Sequence, residues 1–550
     1  MRNRSISLVL ALVMVLAMFV GCTQPGTTTA TTTAGTTAGT TAGTTGGTTE
    51  GTTEGTTATT EATTAGKTPA QLEIETEATL VSYVPGDLPG DMELVAGEIN
   101  KVLMEKINAS MEFYAVPWGD FSTKYPLLIA SGETVDMMYT ADWSYYYESV
   151  EKDGFVAMDD MLADYAPSVL TQYDPDFLES ARVEGKLYMV PSNNQAFNAH
   201  GFVVRGDLME KYSIPEIKTY KDFLVYLRAI KPEGMIPLDT MANDSFAFNY
   251  AEENRDRIAF HMFNTYLHQN MDGSVTYAFD DPEFVEFLNE MRAAYNDGLW
   301  SKSILSSQLT GRDVFDNGKT GAFLWNVFAF DTSRTKAIQS GYDWDVRFYP
   351  AGGDLPNTLL AATANGFSIP ISSQNAKRVM MMLNLILEDI EVYRLFQYGI
   401  KGVHYDVNAN NEKILPEGKA PEDVLYPQGF ALGWGLENAE FSAQFNDPMQ
   451  SQILKDIMTN AKANGKMLAT VKYGFRGKYD DLQTESAACT AAITKYFIPL
   501  LWGTVDVEEG IADCKTKLEA AGIETLRAEY ERQIKEFMAA KNITSLYDYE

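Results

Sequence analysis

Residues 78–84 read ATLVSYV, residues 111–116 read MEFYAV and residues 135–140 read VDMMYT, and these three short runs decide the fold class. Each run is rich in β-branched, aromatic or other apolar residues, which is typical of strands. Residues 92–107, between the first two runs, place apolar side chains at helical spacing. A shorter helical stretch at 124–131 separates the second run from the third. The order strand, helix, strand, helix, strand predicts an α/β protein with a parallel sheet.

The rest of the chain continues to alternate between strand-like and helix-like segments. Strands are predicted at 187–191 and 201–205, and helices at 207–212 and 220–230. Further helices are predicted at 282–296, 376–387, 452–464, 507–520 and 523–540. The roughly 480 residues that follow the low-complexity N-terminal region are enough for two or three domains of about 100–200 residues each.

Six short segments, in this order, resemble one protein family. They read ASGETVDM (130–137), FVAMDDM (155–161), GKLYMVP (185–191), VVRGDL (203–208), NGKTGA (317–322) and YGIKGVHY (398–405). They are similar to segments of the extracellular solute-binding proteins that serve ABC importers, in the MalE-like, carbohydrate-type group. The late segment and the paired helices at the C-terminus resemble a lipoprotein subgroup with an extended C-terminal region.

This resemblance implies a two-lobed clamp that closes on a ligand, with crossover segments as the hinge and extra C-terminal helices. The crossovers are expected near 195–201 and near 360–367. Lobe one would then comprise residues 72–195 and 366–430. Lobe two would comprise 200–360 and 431–550, including the C-terminal helical extension.

The first 66 residues predict export and attachment to a membrane. Residues 1–21 have the basic start and short apolar run of a signal peptide, and this run is shorter than the about 20 residues of a membrane span. The sequence FVGC ending at Cys22 resembles a bacterial lipobox, with Phe19 in place of the usual leucine, so Cys22 is expected to carry the lipid. Residues 22–66 are threonine-rich repeats that cannot bury apolar surface, which predicts a disordered tether. The expected location is extracytoplasmic, on the outer face of the cell membrane, held by the lipid alone.

The formal net charge of −32 argues against two classes of partner. So acidic a protein repels nucleic acid and anionic lipid headgroups. The expected partners are a small-molecule ligand and, by the resemblance, ABC permease subunits. A monomer suits a receptor that docks one permease.

Aromatic and amide side chains follow several predicted strands, where loops of α/β sheets face a binding cleft. Sugar sites combine flat aromatic surfaces with a few placed polar groups. Packing within a core is the alternative for each of these aromatic residues. The candidates for ligand binding are Trp118, Asp142, Trp143, Tyr145, Asn193, Trp325, Asn326 and Trp434.

The expected function is capture of a small solute, with an oligosaccharide favoured over a peptide or another solute. No catalytic residue, cofactor or metal is predicted. A secreted glycosidase is the alternative from another functional class, since carboxylates are abundant, but no spacing singles out a catalytic pair.

Three further patterns have competing interpretations. Cys489 and Cys514 lie on apolar helical stripes and are expected to be buried free thiols, with a disulfide as the alternative. Residues 406–417 copy the ligand spacing of an EF-hand, with Asn411 in place of the glycine. Only Asp406 and Glu417 are carboxylates at the main side-chain ligand positions, and Pro416 interrupts the segment, so a hairpin turn is preferred to a calcium site. Gly318, Lys319 and Thr320 evoke a phosphate-binding loop at the wrong spacing, and the resemblance to solute-binding proteins implies the start of a strand there instead.

Overall fold

The computed structural model describes residues 67–194, 197–262, 265–420, 423–426, 430–432, 435–442 and 450–547. Residues Thr64–Glu550 form one compact unit. Cys22, the signal peptide, the tether and Trp434 lie outside the described residues.

The described residues include seventeen strands. They are β1 Ala78–Pro85, β2 Ala109–Val116, β3 Met137–Thr140, β4 Val190–Pro191, β5 Phe197–Asn198, β6 His200–Arg205, β7 Ile236–Leu238, β8 Ile258–Met262, β9 Leu267–Asn270, β10 Val275–Tyr277, β11 Thr320–Asn326, β12 Val346–Pro350, β13 Thr358–Leu359, β14 Gly366–Ser368, β15 Asp406–Val407, β16 Lys413–Ile414 and β17 Lys466–Met467.

The described residues include twenty-two α-helices, and the longest of them is the last, with 19 residues. They are α1 Pro69–Glu73, α2 Met92–Ile107, α3 Trp118–Ala130, α4 Tyr146–Glu151, α5 Asp159–Tyr165, α6 Pro167–Gln172, α7 Pro175–Ser180, α8 Gly206–Lys211, α9 Tyr220–Ile230, α10 Ala247–Glu253, α11 Pro282–Asn296, α12 Gly311–Asp316, α13 Val327–Gln339, α14 Ala376–Glu388, α15 Ile390–Tyr398, α16 Ala439–Ser442, α17 Gln452–Asn464, α18 Ala469–Lys472, α19 Gln483–Ala492, α20 Ile498–Leu501, α21 Val507–Ala520 and α22 Ile523–Lys541.

The first sheet has the strand order β2-β1-β3-β14-β4. Strand β1 pairs in parallel with both β2 and β3, which confirms the parallel arrangement predicted for residues 78–140. Strands β14 and β4 extend the sheet in antiparallel fashion. Buried side chains from β1, α2 and α14 fill one core against this sheet, among them Leu80, Ile99 and Leu383.

The second sheet has the order β12-β6-β11-β7 and is mixed. Strand β6 runs antiparallel to both β11 and β12, and only the β7–β11 pair is parallel. The alternation of helices and strands along the sequence did not predict whether these strands run parallel or antiparallel, because that depends on which strands become neighbours in the sheet. The four C-terminal helices α19–α22 share a hydrophobic core with this sheet, since Trp502, Leu518 and Leu526 lie in one core with Phe202 and Leu238.

The two sheets are linked by two connections in which short strands pair. Strand β4 belongs to the first sheet and β6 to the second, whereas β12 belongs to the second and β14 to the first. Between them, β5 and β13 pair in antiparallel fashion, and β17 joins β13 in parallel. The chain therefore has two α/β lobes. The boundaries of these lobes remain a prediction.

Two predicted elements differ from those in the structure. The strand predicted at 187–191 is reduced to Val190–Pro191, because the backbone of Leu187 bonds instead to Met158 and to the Asp159 carboxylate. The helix predicted at 124–131 begins at Trp118, since Pro117 occupies the N-cap position, and it continues through Pro126.

Cys489 and Cys514 are free and buried, so the thiol interpretation is confirmed and the disulfide alternative is wrong. Burial raises the pKa of the Cys489 thiol to about 11 and that of Cys514 to about 12. Residues 406–414 form the predicted hairpin of β15 and β16, with Asn411 in the left-handed region at φ 60°. Among the described helices, none combines the length and apolar character needed to cross a membrane.

Candidate functional site

Two exposed tryptophans lie beyond the carboxyl ends of parallel strands in the first sheet. Trp118 follows β2 and is 41% exposed, and Trp143 follows β3 and is 54% exposed. Their ring centres are 6.4 Å apart and their planes are inclined by 28°. A large aromatic surface left in water near the end of a parallel sheet is typical of a ligand-contact surface.

Buried neighbours and a hydrogen bond hold the two indoles in place. The Trp118 ring packs against Phe121 at 5.2 Å, and the Trp143 ring packs against Tyr139 at 5.8 Å. Trp143 Nε1 donates a 3.1 Å hydrogen bond to the carbonyl oxygen of Ala364, which belongs to the connection between β13 and β14. Because its N–H is hydrogen-bonded and its ring packs against Tyr139, the Trp143 side chain is held in place with an exposed apolar ring face.

Asp142, the residue before Trp143, is hydrogen-bonded to the same connection between β13 and β14. Its backbone N–H donates to the Thr363 carbonyl oxygen at 2.8 Å, and Thr363 Oγ1 donates to Asp142 Oδ2 at 3.3 Å. Removal from water raises the pKa of the Asp142 carboxyl, and the hydrogen bonds from Thr363 and the Trp143 backbone oppose that rise. A half-buried carboxylate beside an aromatic face is suited to accept a hydrogen bond from a ligand hydroxyl.

Tyr145 lies in the same cluster, with its ring 5.9 Å from that of Phe121. Its backbone has φ 58°, in the left-handed region that a bulky residue rarely adopts. Such strain costs on the order of 1–3 kcal/mol and occurs preferentially at functional sites. The structure therefore brings Trp118, Asp142, Trp143 and Tyr145 together, and their role in ligand binding remains a prediction.

Trp325 and Asn326 lie at the end of β11 in the second sheet. Trp325 is 41% exposed, and its ring is 5.7 Å from the imidazole of His200, which in turn stacks on Phe248 at 5.9 Å. Burial lowers the pKa of His200 to about 4, so this imidazole is neutral at pH 7. Asn326 Oδ1 accepts a 2.9 Å hydrogen bond from the Ala329 N–H and caps α13, which gives this side chain a structural role.

Asn193 and Asn194 lie in the connection that follows β4 and bond to the segment before α16. The Asn193 N–H donates to the Glu437 carbonyl oxygen at 2.8 Å, and the Asn194 amide donates to the Glu437 carboxylate. Burial raises the pKa of the Glu437 carboxyl. Both asparagines thus hold two crossing segments together. Trp434, the remaining candidate, is outside the described residues.

Several residues that contact the candidate residues were not themselves predicted from the sequence, notably Thr363, Ala364, His200 and Glu437. Thr363 and Ala364 lie in the connection between β13 and β14, within the crossover expected at 360–367, and that expectation was a usable signal for them. Their contacts to Trp143 and Asp142 join segments more than 200 residues apart, and no local pattern encodes such pairings. Within the described part of the chain, no cluster of three or more histidine, cysteine, aspartate or glutamate residues could hold a metal ion.

Two family models match the chain. Residues 105–389 match the model described as bacterial extracellular solute-binding protein, and residues 471–539 match a domain of unknown function. The chain is 21% identical to a carbohydrate ABC transporter substrate-binding protein of Streptococcus pneumoniae, over 84% of this chain and 91% of that protein. It is 25% identical to a polygalacturonan/rhamnogalacturonan-binding protein of Bacillus subtilis, over 42% of this chain and 47% of that protein.

Solved structures share the fold at low sequence identity. The N-glycan transport solute binding protein of Streptococcus pneumoniae, in complex with Man1GlcNAc, superposes with a TM-score of 0.66 at 18% identity, covering 84% of this chain and 100% of that one. The substrate-binding protein FusA of the same organism, in complex with kestose, gives a TM-score of 0.60 at 16% identity and the same coverage. These likenesses show a two-lobed solute-binding fold.

Proposed function

The chain belongs to the bacterial extracellular solute-binding proteins, and from that membership we propose that it is the oligosaccharide-binding receptor of an ABC importer. In this role it captures the ligand between its two lobes and delivers it to the permease subunits. It performs no chemistry on the ligand, because its task is to recognise the ligand and release it. A monomer is the expected functional form.

The pair of exposed, nearly parallel indoles of Trp118 and Trp143 carries this proposal. Flat aromatic faces suit the C–H surface of a pyranose ring, and the nearby Asp142 carboxylate suits its hydroxyls. Trp325 supplies a third exposed indole on the second sheet. The carbohydrate ligands in the names of similar proteins agree with this chemistry.

A binding experiment separates an oligosaccharide receptor from the other solute classes. Titration calorimetry with Man5GlcNAc, kestose, other plant and bacterial oligosaccharides and a mixed peptide library should give a Kd of about 10 μM or tighter for at least one oligosaccharide. Mass spectrometry should recover that oligosaccharide intact. Binding of peptides alone would overturn the ligand class, and release of cleaved sugar would overturn the proposed absence of chemistry.

We also propose that the protein lies outside the cytoplasm and is attached to the membrane by a lipid on Cys22. Each buried methylene of an acyl chain contributes about 0.8 kcal/mol, so a diacylated cysteine holds a protein on the bilayer surface. The threonine-rich residues after Cys22 then set the distance over which the lobes can reach a permease.

Replacing Cys22 with serine is expected to lower the membrane-bound fraction of the protein at least tenfold, because the acyl anchor is lost. Immunoblots of membrane fraction and culture medium measure this, with Thr23→Ala as the matched neighbouring control. Equal membrane retention of the Cys22→Ser and Thr23→Ala proteins would show that Cys22 is no anchor.

A further inference from the structure

The segment that follows α18 is held firmly by the last helix of the chain. The Phe475 ring packs on that of Phe537 at 4.8 Å, and the Lys478 N–H donates to Gln533 Oε1 at 2.8 Å. One residue further on, the ring of Tyr479 meets that of Tyr530 edge to face at 4.3 Å. Tyr530 belongs to the core beneath the second sheet, so residues 475–479 are anchored on that side of the molecule.

The same segment also contacts elements that pack on the first sheet. The Arg476 guanidinium carbon lies 3.7 Å from the ring centre of Tyr147, and Arg476 Nη2 lies 2.9 Å from Glu151 Oε1. Both partners lie on α4, whose buried residues Tyr146 and Val150 belong to a core with Met138 of β3. Lys478 Nζ makes a second, more exposed ion pair with Glu184 at 3.5 Å. Residues 475–479, which we call the C-terminal strap, therefore connect the two sides of the molecule.

The Arg476 contact leads directly to the aromatic surface of the candidate site. Tyr147 Oη lies 3.0 Å from Thr363 Oγ1, and Thr363 Oγ1 donates to the carboxylate of Asp142. Because the single Thr363 hydroxyl proton goes to Asp142, Tyr147 donates its own proton to Thr363. Asp142 immediately precedes Trp143, whose indole is the most exposed of the three site tryptophans that the structure describes.

We propose that Arg476 is a positioning residue: by stacking on Tyr147 it holds the Tyr147–Thr363–Asp142 hydrogen-bond chain and thereby the Trp143 face. This gives the strap, which lies in the domain of unknown function at 471–539, a role in setting the ligand surface of the opposite lobe. The effect on affinity rests on the proposed function, whereas the effect on the order of residues 142–147 does not.

The strength of the contact follows from its partial burial. The Arg476 side chain is 25% exposed and lies over the ring face of Tyr147, where a cation is attracted by the ring quadrupole. The Glu151 partner is 50% exposed, so that ion pair is weakened by solvent. The stacking contact is therefore expected to dominate, and lysine, which lacks the planar guanidinium, should replace arginine only in part.

Hydrogen exchange in the absence of ligand tests the positioning role. Arg476→Ala in the full chain should speed amide exchange across residues 142–147 by about tenfold, because local opening there becomes easier. Exchange in α11 and the thermal midpoint should stay at parent values. Arg476→Lys should fall between Ala and the parent, and Lys478→Ala is the matched control, since it breaks the other ion pair of the strap without touching Tyr147.

Ligand binding provides the second readout. Arg476→Ala should weaken binding of the tightest oligosaccharide of the calorimetric panel, starting with Man5GlcNAc, by about three- to tenfold, and Lys478→Ala should leave it unchanged. Unchanged exchange at 142–147, or an equal increase throughout the protein, would overturn the positioning role. If no oligosaccharide binds the parent protein, the proposed ligand class fails, and the exchange experiment still decides the role of Arg476.

Discussion

Replacing Arg378 with methionine is expected to lower the free energy of unfolding by about 3–5 kcal/mol. Arg378 lies on α14 and is 1% exposed. Its Nη1 donates to the carbonyl oxygens of Ile107 at 2.8 Å and Asn108 at 2.6 Å, and its Nη2 donates to those of Thr76 at 2.9 Å and Glu73. One side chain thus satisfies four backbone acceptors where α1, α2 and the start of β1 converge.

The size of this effect depends on the backbone carbonyl oxygens that lose the guanidinium donor when methionine replaces Arg378. Two of the four acceptors lie at the C-terminal end of α2, where helix carbonyls lack partners within the helix. The Asn108 carbonyl also accepts from the Ala78 N–H at 3.2 Å, so it keeps one donor in the variant. An unsatisfied buried acceptor costs about 1–3 kcal/mol, and some of that cost is recovered if water enters. Burial lowers the pKa of the Arg378 guanidinium, because desolvation disfavours its charged form.

Urea unfolding followed by circular dichroism measures the change, with the slope of the transition held at its parent value. Lys377→Met is the matched control, because Lys377 is the exposed neighbour on the same helix and should change stability by less than about 0.5 kcal/mol. A loss of under 1 kcal/mol in Arg378→Met would show that the four carbonyls find other partners.

Long helices with clear apolar periodicity could be predicted from the sequence to within a residue. The bounds of Met92–Ile107, Tyr220–Ile230 and Gln452–Asn464 agree with the predictions. Local signals explain this accuracy. Thr219 forms a capping box at the start of α9, and Asn108 ends α2 in the left-handed conformation.

The short strands in the connections between the two sheets, and the contacts of the candidate site, could not be predicted from the sequence for a physical reason. Strands β5, β13 and β17 have only two residues each, which is too short for any periodicity. Their identity comes from pairing with one another across long sequence separations. Likewise, loops after strands predicted Trp143 and Asp142, but the Thr363 and Ala364 contacts that hold them depend on the assembled fold.

Trp143→Ala and Trp325→Ala are each expected to weaken oligosaccharide binding at least tenfold, about 1.4 kcal/mol. Each substitution removes an exposed indole that offers a flat apolar face to a sugar ring. The two residues lie on different sheets, so their effects should be nearly independent and the double variant should lose about 100-fold. Calorimetry against the tightest oligosaccharide of the panel measures all three proteins.

Two further variants make the result specific to these indoles. Trp143→Phe keeps a ring but loses the bond from Nε1 to the Ala364 carbonyl oxygen, so its loss of affinity should be smaller than that of alanine. Tyr342→Ala removes another exposed aromatic, which lies near Gly318 at the opposite end of β11 from Trp325, and should leave affinity unchanged. Parent-like affinity in both Trp143→Ala and Trp325→Ala would remove these residues from the ligand site while leaving membership of the solute-binding family intact, because that membership rests on the match across residues 105–389.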